Sequence, residues 1–442
     1  MEEKVRPRLP RGMRDILPQK MILRQYVIGV IRSVFEEFGY EPLSTPAVEL
    51  RDTLTGKYGP DAERMIYEVR REGARERLAL RYDLSVPLSR VMAMYPDLQK
   101  PFKRYQISPV WRGERPGKGR YREFYQCDVD TVGTASMLAD AELLDITREL
   151  LTRLGFQEFV MKINNRKILT GIGEFAGVPQ ELLPGLYRSI DKLEKLGLDG
   201  VKEELRANQV PEDVIKRLLG LLRVTGGSRA ILTELRERLA GYPIALEGIG
   251  ELEEVLSHLE TLGVPEKQYQ VDFAMVRGLD YYTGPIFETV VQEPGIGSIS
   301  GGGRYDELIG MFTDRSYPAT GTSFGIERVI DVMDELGMFP PEVTTTIARV
   351  MVTIFDQALV GASLQASYEL RKAGLNTELY FENDPLGDQI RYALKKGVPY
   401  VVIIGPDELA ESRVTIRNLP LNEQRTVERQ MMATTIKDWE AS

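Results

Sequence analysis

Across residues 16–38 apolar side chains recur at the three- and four-residue spacing of one helix face, and Gly39 closes the run. A long amphipathic helix is predicted there. Residues 40–49, YEPLSTPAVE, carry Pro42 and Pro46, which exclude helix and favour extended chain. Between 78 and 130 come alternating, aromatic-rich stretches, notably FKRYQISPVWR and REFYQCDVD. They predict antiparallel strands around a basic loop, ERPGKGR. Helical spacing returns over 137–154. From about 167 to 254 charged helical segments follow one another (PGLYRSIDKLEKLG, VIKRLLGLLRV, RAILTELRERLAG) with few β-branched runs. That is the pattern of a helical module inserted into a β-rich core. Strand patterning resumes at 268–273 and 287–291.

Pro340 and Pro341 mark a linker. After it, strands at 349–355, 376–381 and 400–405 alternate with helices at 358–373 and 386–396. Strands joined by crossover helices predict a small α/β domain with a largely parallel sheet. The fold class is mixed, α/β in the broad sense (α+β). A two-part antiparallel core is expected at 1–166 and 255–338, a helical insertion at 167–254, and a C-terminal α/β domain at 347–442.

Composition narrows the chemistry. A chain of 442 residues suits two to three domains. Its 57 basic and 66 acidic residues leave a net charge of −9, which speaks against coating nucleic acid non-specifically but permits a local basic groove. The single cysteine, Cys127, excludes an intrachain disulfide and a cysteine zinc site. The single histidine, His258, stands near leucines in a helical stretch and is expected to be a packing residue. Ser-His and Cys-His relays are therefore excluded. The opening residues, MEEKVRPRLPRGMRD, have no apolar core of signal-peptide length, and the run at 400–405 is far too short to span a bilayer. A cytoplasmic chain without membrane contact is expected.

Neither a G-x-x-x-x-G-K-[ST] phosphate loop nor a strand-to-helix G-x-G-x-x-G is present. Instead, Arg112 (VWRGE), Arg277 (VRGLDYY) and Arg328 (FGIERV) stand in strand-like segments. A lone arginine on an inward strand face reads most simply as half of a structural ion pair. Three of them among glycines point to a polyphosphate, which guanidinium forks grip bidentately.

Three ordered segments resemble class II aminoacyl-tRNA synthetases: 40–49 with Pro46, 104–130 with Arg112 and Glu114 as R-x-E, and 319–329 closing on Arg328. Sharper matches, RGLDYYTG at 277–284 and GGGRYD at 301–306, resemble the histidyl-tRNA synthetase family. RYDLSVP at 81–87 is similar to the same family, with Ser85 at a position where threonine is usual. Gly117 stands where glutamine is frequent, and Asp388 where lysine is common. The resemblance covers nearly the whole chain, including a tail similar to the family's anticodon-binding domain.

The resemblance implies that L-histidine is activated by ATP to histidyl-adenylate and passed to tRNA(His), by a homodimer. Asp83, Leu84 and Ser85 would surround the substrate's α-amino group. Arg112 and Gln126 would lie near its carboxylate, and Asp130, Tyr281 and Tyr282 would line the imidazole pocket. Arg112 and Arg277 would contact the α-phosphate, with Arg277 the main catalytic group. Glu114, Arg120 and Arg328 would meet the rest of ATP, with Mg2+ accompanying the β and γ phosphates and no metal held by the protein alone. A second expectation is a catalytically inactive relative, the synthetase-like regulatory subunit of ATP phosphoribosyltransferase.

Overall fold

The computed structural model describes residues 6–56, 63–73, 75–117, 119–178, 183–208, 210–276, 281–291, 295, 297–341, 343 and 345–441. Two compact units divide the chain: Met1–Arg14 with Val27–Met338, and Asp15–Tyr26 with Phe339–Ser442.

The first unit is organised by an eight-stranded sheet. Its strands are β1 (Glu41–Pro42), β5 (Phe102–Trp111), β6 (Glu123–Val132), β7 (Phe159–Asn165), β8 (Tyr269–Val271), β9 (Pro285–Val291), β10 (Ser298–Arg304) and β11 (Ala319–Gly325). Their order is β1-β5-β6-β11-β10-β9-β7-β8. Only the outermost pairs, β1 with β5 and β7 with β8, are parallel; the five inner pairings are antiparallel. A smaller antiparallel sheet joins β2 (Val48–Leu50), β3 (Glu68–Val69) and β4 (Leu78–Leu80) in the order β2-β4-β3.

The helix Pro18–Glu37 answers the 16–38 pattern. In the first unit its buried stripe is Val27, Ile31, Val34 and Phe35, the spacing of one helix face. Phe35 sits 5.6 Å from the Tyr105 ring of β5 and 6.1 Å from Phe324 of β11. Gly39, at φ 76°, then turns the chain in a conformation that would cost a residue with a Cβ. The helix Met137–Arg153 begins at Ser136, whose hydroxyl accepts from the Leu138 amide at 3.3 Å, a cap worth about 1 kcal/mol. It packs on β10 and β11. The 167–254 stretch holds helices Leu183–Ile190, Leu193–Ala207, Glu212–Leu221 and Ser228–Arg238 between Arg166–Ala176 and Pro243–Thr261.

In the second unit the order is β13-β12-β14-β15-β16, from β12 (Val350–Val352), β13 (Thr377–Leu379), β14 (Tyr400–Ile403), β15 (Arg413–Asn418) and β16 (Glu423–Glu428). β12 pairs in parallel with β13 and β14, but β14–β15 and β15–β16 are antiparallel. The expectation of a largely parallel sheet is thus corrected to an even mixture. β16, EQRTVE, is almost entirely exposed and has no apolar alternation to announce it. Both faces of the centre are covered, as a parallel core requires. Val350, Val352 and Val402 pack with Ile436 and Trp439 on one side, and Met351, Val401 and Ile403 pack with Ala393 on the other. Buried Gln389, on helix Leu386–Lys396, closes the end of β12: its amide accepts from Ile354 N at 3.0 Å and donates to Ile354 O at 2.7 Å.

His258 packs only in part. It is half-buried on Pro243–Thr261, with Nε2 3.4 Å from Glu254 Oε1. Leucines at 256 and 259 take the buried face. Among the described residues no helix is long and apolar enough to cross a membrane.

Candidate active site

Strand alternation builds the site. Side chains two apart on a strand share a face, so Gln126, Asp128 and Asp130 of β6 form one polar row. Across from them the register places Ser108, Gln106 and Arg104 on β5 and Gly325, Ser323 and Gly321 on β11. Glycine at 321 is a steric requirement: a Cβ there would stand 2.0 Å from Asp130 Oδ1. On the next strand, a Cβ on Gly302 would stand 2.1 Å from the Gly321 carbonyl oxygen. The glycine-rich runs of β10 and β11 therefore leave space for the row's carboxylates and for whatever lies above them.

That space is a cavity of about 320 Å³. Asp83, Ser85, Arg112, Gln126, Asp130, Tyr281 and Tyr282 all line it, though they come from separate parts of the sequence. Leu84 does not: it is wholly buried, and its carbonyl accepts from Arg104 Nη2 at 3.1 Å. Asp83 Oδ1 accepts from the Val86 amide at 3.0 Å, so this carboxylate also caps helix Ser85–Met94. Four lining residues to which the sequence assigned no role are Asp128, Glu288, Tyr305 and Ser323.

Asp130 is firmly held. The Tyr305 hydroxyl donates to Oδ1, and Arg104 Nη2 lies 2.8 Å from Oδ2. Burial still raises the carboxyl's pKa, against the pull of Arg104 and Tyr305. Asp128 is pushed up to about 7, first by burial and then by Asp130, with Arg104 and Ser323 opposing. Burial, with Asp128, Asp130 and Asp83 nearby, lifts Tyr282 well above the usual phenol range. The phenol stays protonated and can donate.

A second cavity of about 540 Å³ adjoins the first; Arg112, Gln126, Ser298, Gly301 and Ser323 line both. Its remaining wall includes Glu114, Arg120, Phe124, Glu327 and Arg328. Arg112 is fixed at the boundary: Nε donates to the Tyr82 carbonyl at 3.1 Å, and its guanidinium lies 4.5 Å from the Tyr82 ring and 5.2 Å from that of Phe124. Glu114 and Arg120 form an ion pair. Arg328 donates to Ser298 O at 2.6 Å.

The strand placement expected for the arginines is corrected. Arg112 follows the last residue of β5, and Arg328 occupies the first turn of helix Ile326–Glu335. A short apolar run such as FGIERV fits either element until its length is known. Arg277 lies outside the described residues.

An antiparallel sheet carrying an acid-lined cavity beside an arginine-bearing one defines a core of the class II aminoacyl-tRNA synthetase type. The comparisons with known proteins narrow the class. The family model described as histidyl-tRNA synthetase matches residues 12–329, and that of an anticodon binding domain matches 349–439. The Histidine--tRNA ligase of Gloeobacter violaceus is 42% identical, covering 94% of this chain and 95% of its own. That of Aeropyrum pernix is 41% identical, with 96% of each covered. The solved histidyl-tRNA synthetase from Nostoc sp. PCC 7120 superposes with a TM-score of 0.87 at 34% identity, over 98% of this chain and 100% of its own. A Bacillus halodurans structure titled as an ATP phosphoribosyltransferase regulatory subunit/histidyl-tRNA synthetase has a TM-score of 0.74 at 22% identity, over 89% of this chain and 97% of its own; that likeness speaks for the fold alone. The chain belongs to the histidyl-tRNA synthetase family.

Proposed function

We propose that this chain activates L-histidine with ATP and transfers it to tRNA(His), and that the junction of the two cavities is where the adenylate forms. The observation that carries the proposal is the position of Arg112, a wall of both spaces. An amino acid seated against Asp83 and Ser85 directs its carboxylate towards Gln126 and Arg112. A nucleotide among Glu114, Arg120 and Arg328 directs its α-phosphate to the same guanidinium. The carboxylate oxygen attacks the α-phosphorus, the bond to the β-phosphate oxygen breaks, and pyrophosphate leaves. The ribose hydroxyl at the tRNA end then attacks the adenylate carbonyl and AMP departs. Alignment and neutralisation of phosphate charge suffice, so no side-chain nucleophile is required.

In this reading Asp130, Tyr281 and Tyr282 border the imidazole, and Arg277 adds the main positive charge at the α-phosphate. Mg2+ enters with ATP as part of that substrate. Glu114 and Glu327, both in the wall of the second cavity, would supply it with oxygens there. Residues 1–166 and 255–338 form the catalytic core, 167–254 the helical insertion, and 347–442 the anticodon-binding domain. The anticodon-domain match favours this over the regulatory-subunit reading. The 40–49 segment supplies a homodimer interface, and light scattering at micromolar concentration should report twice the chain mass.

Pyrophosphate exchange measured with each amino acid tests the activity. Exchange should run with histidine and remain at background with the others. Exchange driven best by another amino acid would overturn the assignment.

A further inference from the structure

The N-terminal stretch Arg11–Arg14 packs against residues that wall the second cavity. Gly12 sets its course: at φ 85° it adopts a left-handed backbone that a residue with a Cβ enters only at a cost. A Cβ there would also stand 2.9 Å from the Arg122 side chain. The Gly12 carbonyl accepts from the Arg122 amide at 2.9 Å, and the Arg11 carbonyl accepts from Arg122 Nη1 at 3.4 Å. Arg122 in turn ties the basic loop together. Its carbonyl accepts from the Arg112 amide at 2.9 Å, and its Nε donates to the Glu114 carbonyl at 2.9 Å. Through Arg122 the stretch is thus tied to Arg112 and Glu114, both in the cavity wall.

Arg14 reaches that wall directly. Its guanidinium lies 3.6 Å from the centroid of the Tyr121 ring, close enough to stack on the π face. Its Nη2 lies 3.8 Å from Glu327 Oε1, the oxygen that also accepts from the Tyr125 amide at 3.2 Å. Tyr121 and Glu327 both line the cavity. The Glu327 side chain is only 5% exposed and that of Arg14 35%. A fully solvated pair would be worth little; this one has a buried partner and a ring beneath it.

On the reading that the second cavity receives ATP, we propose that Arg14 is a positioning residue for the nucleotide. It fixes the Tyr121 ring and offsets the Glu327 charge without touching the reacting atoms. ATP brings several negative charges to a wall that already holds Glu114 and Glu327. A cation beside Glu327 lowers the repulsion that the phosphates meet. A ring already held by a guanidinium need not be ordered when the nucleotide arrives. Neither effect extends to the first cavity, because neither Tyr121 nor Glu327 is among the described residues that line it.

Pyrophosphate exchange with histidine, titrated separately in ATP with Mg2+ and in histidine, tests the proposal. Arg14→Ala should raise the ATP KM about three- to tenfold and leave the histidine KM within about twofold. Arg14→Lys keeps a cation over the ring and should recover most of the loss. Tyr121→Leu removes the ring, so adding Arg14→Ala to it should raise the ATP KM by less than Arg14→Ala does alone. Should Arg14→Ala not fold, Arg14→Gln against Arg14→Lys makes the same comparison. A lower thermal midpoint with both KM values unchanged is the mark of a purely structural tie and overturns the proposal. So does a lowered ATP KM, a rise shared equally by both substrates, or an Arg14→Lys variant as weak as Arg14→Ala. Failure of the functional reading looks different: the unaltered protein then shows no exchange with histidine at any ATP concentration, and the role of Arg14 falls with it. Normal exchange with an unmoved ATP KM in Arg14→Ala overturns the role of Arg14 alone.

Discussion

The two adjoining cavities of the first unit solve different problems with different materials. In the first, Asp83, Asp128, Asp130 and Tyr305 are all buried, two of them on β6 and two just outside strand or helix ends. In the second, the charged groups come from a loop and a helix start, and Arg120 keeps 58% of its side chain exposed. Discrimination between amino acids needs desolvated, fixed partners, because only there does a missing hydrogen bond cost its full amount. Neutralising phosphates needs positive charge in roughly the right place and tolerates water. Rigidity belongs to the side that must choose.

Perturbations can break or sharpen that contrast. The largest effect is expected at Arg277: Arg277→Ala should lower histidine-dependent pyrophosphate exchange by more than about 10²-fold, the scale of losing a preorganised charge, with the far-ultraviolet dichroism spectrum unchanged. Next comes Gly321→Ala, which puts a methyl group against Asp130. It should destabilise by about 1–3 kcal/mol, seen as a lower thermal midpoint, and raise the KM for histidine more than that for ATP. Tyr305→Phe removes the hydroxyl donor from Asp130 and should raise the histidine KM about tenfold, leaving the ATP KM within about twofold. The smallest change is expected from Arg120→Ala. Its exposed pair with Glu114 is worth about 0–1 kcal/mol, so the ATP KM should rise only a few-fold and become less sensitive to salt. Equal effects of Tyr305→Phe and Arg120→Ala on both substrates would erase the distinction.

Much of this organisation was legible in the sequence. Helix spacing at 16–38, the strand pair around the basic loop and the helix-rich 167–254 stretch follow from local periodicity. The division of labour within the cavity does not. Gln126, Asp128 and Asp130 alternate visibly, yet what sets Asp130 apart is the Arg104 ion pair and the Tyr305 hydroxyl, which arrive from 26 and 175 residues away. Tyr305 stood in the conspicuous GGGRYD run but gave no local sign that its hydroxyl meets β6. Leu84, chosen for its neighbours in RYDLSVP, turns into the core because helix Ser85–Met94 begins there. β16 escaped because an exposed edge strand needs no apolar alternation.

Under the proposed function, histidine and ATP meet at Arg112, which lines both cavities. Single-turnover formation of histidyl-adenylate by Arg112→Ala, with its thermal midpoint measured alongside, tests this most directly. The rate should fall by about 10²–10³-fold in a protein that still folds; a rate within a few-fold of the unaltered enzyme would rule that meeting point out.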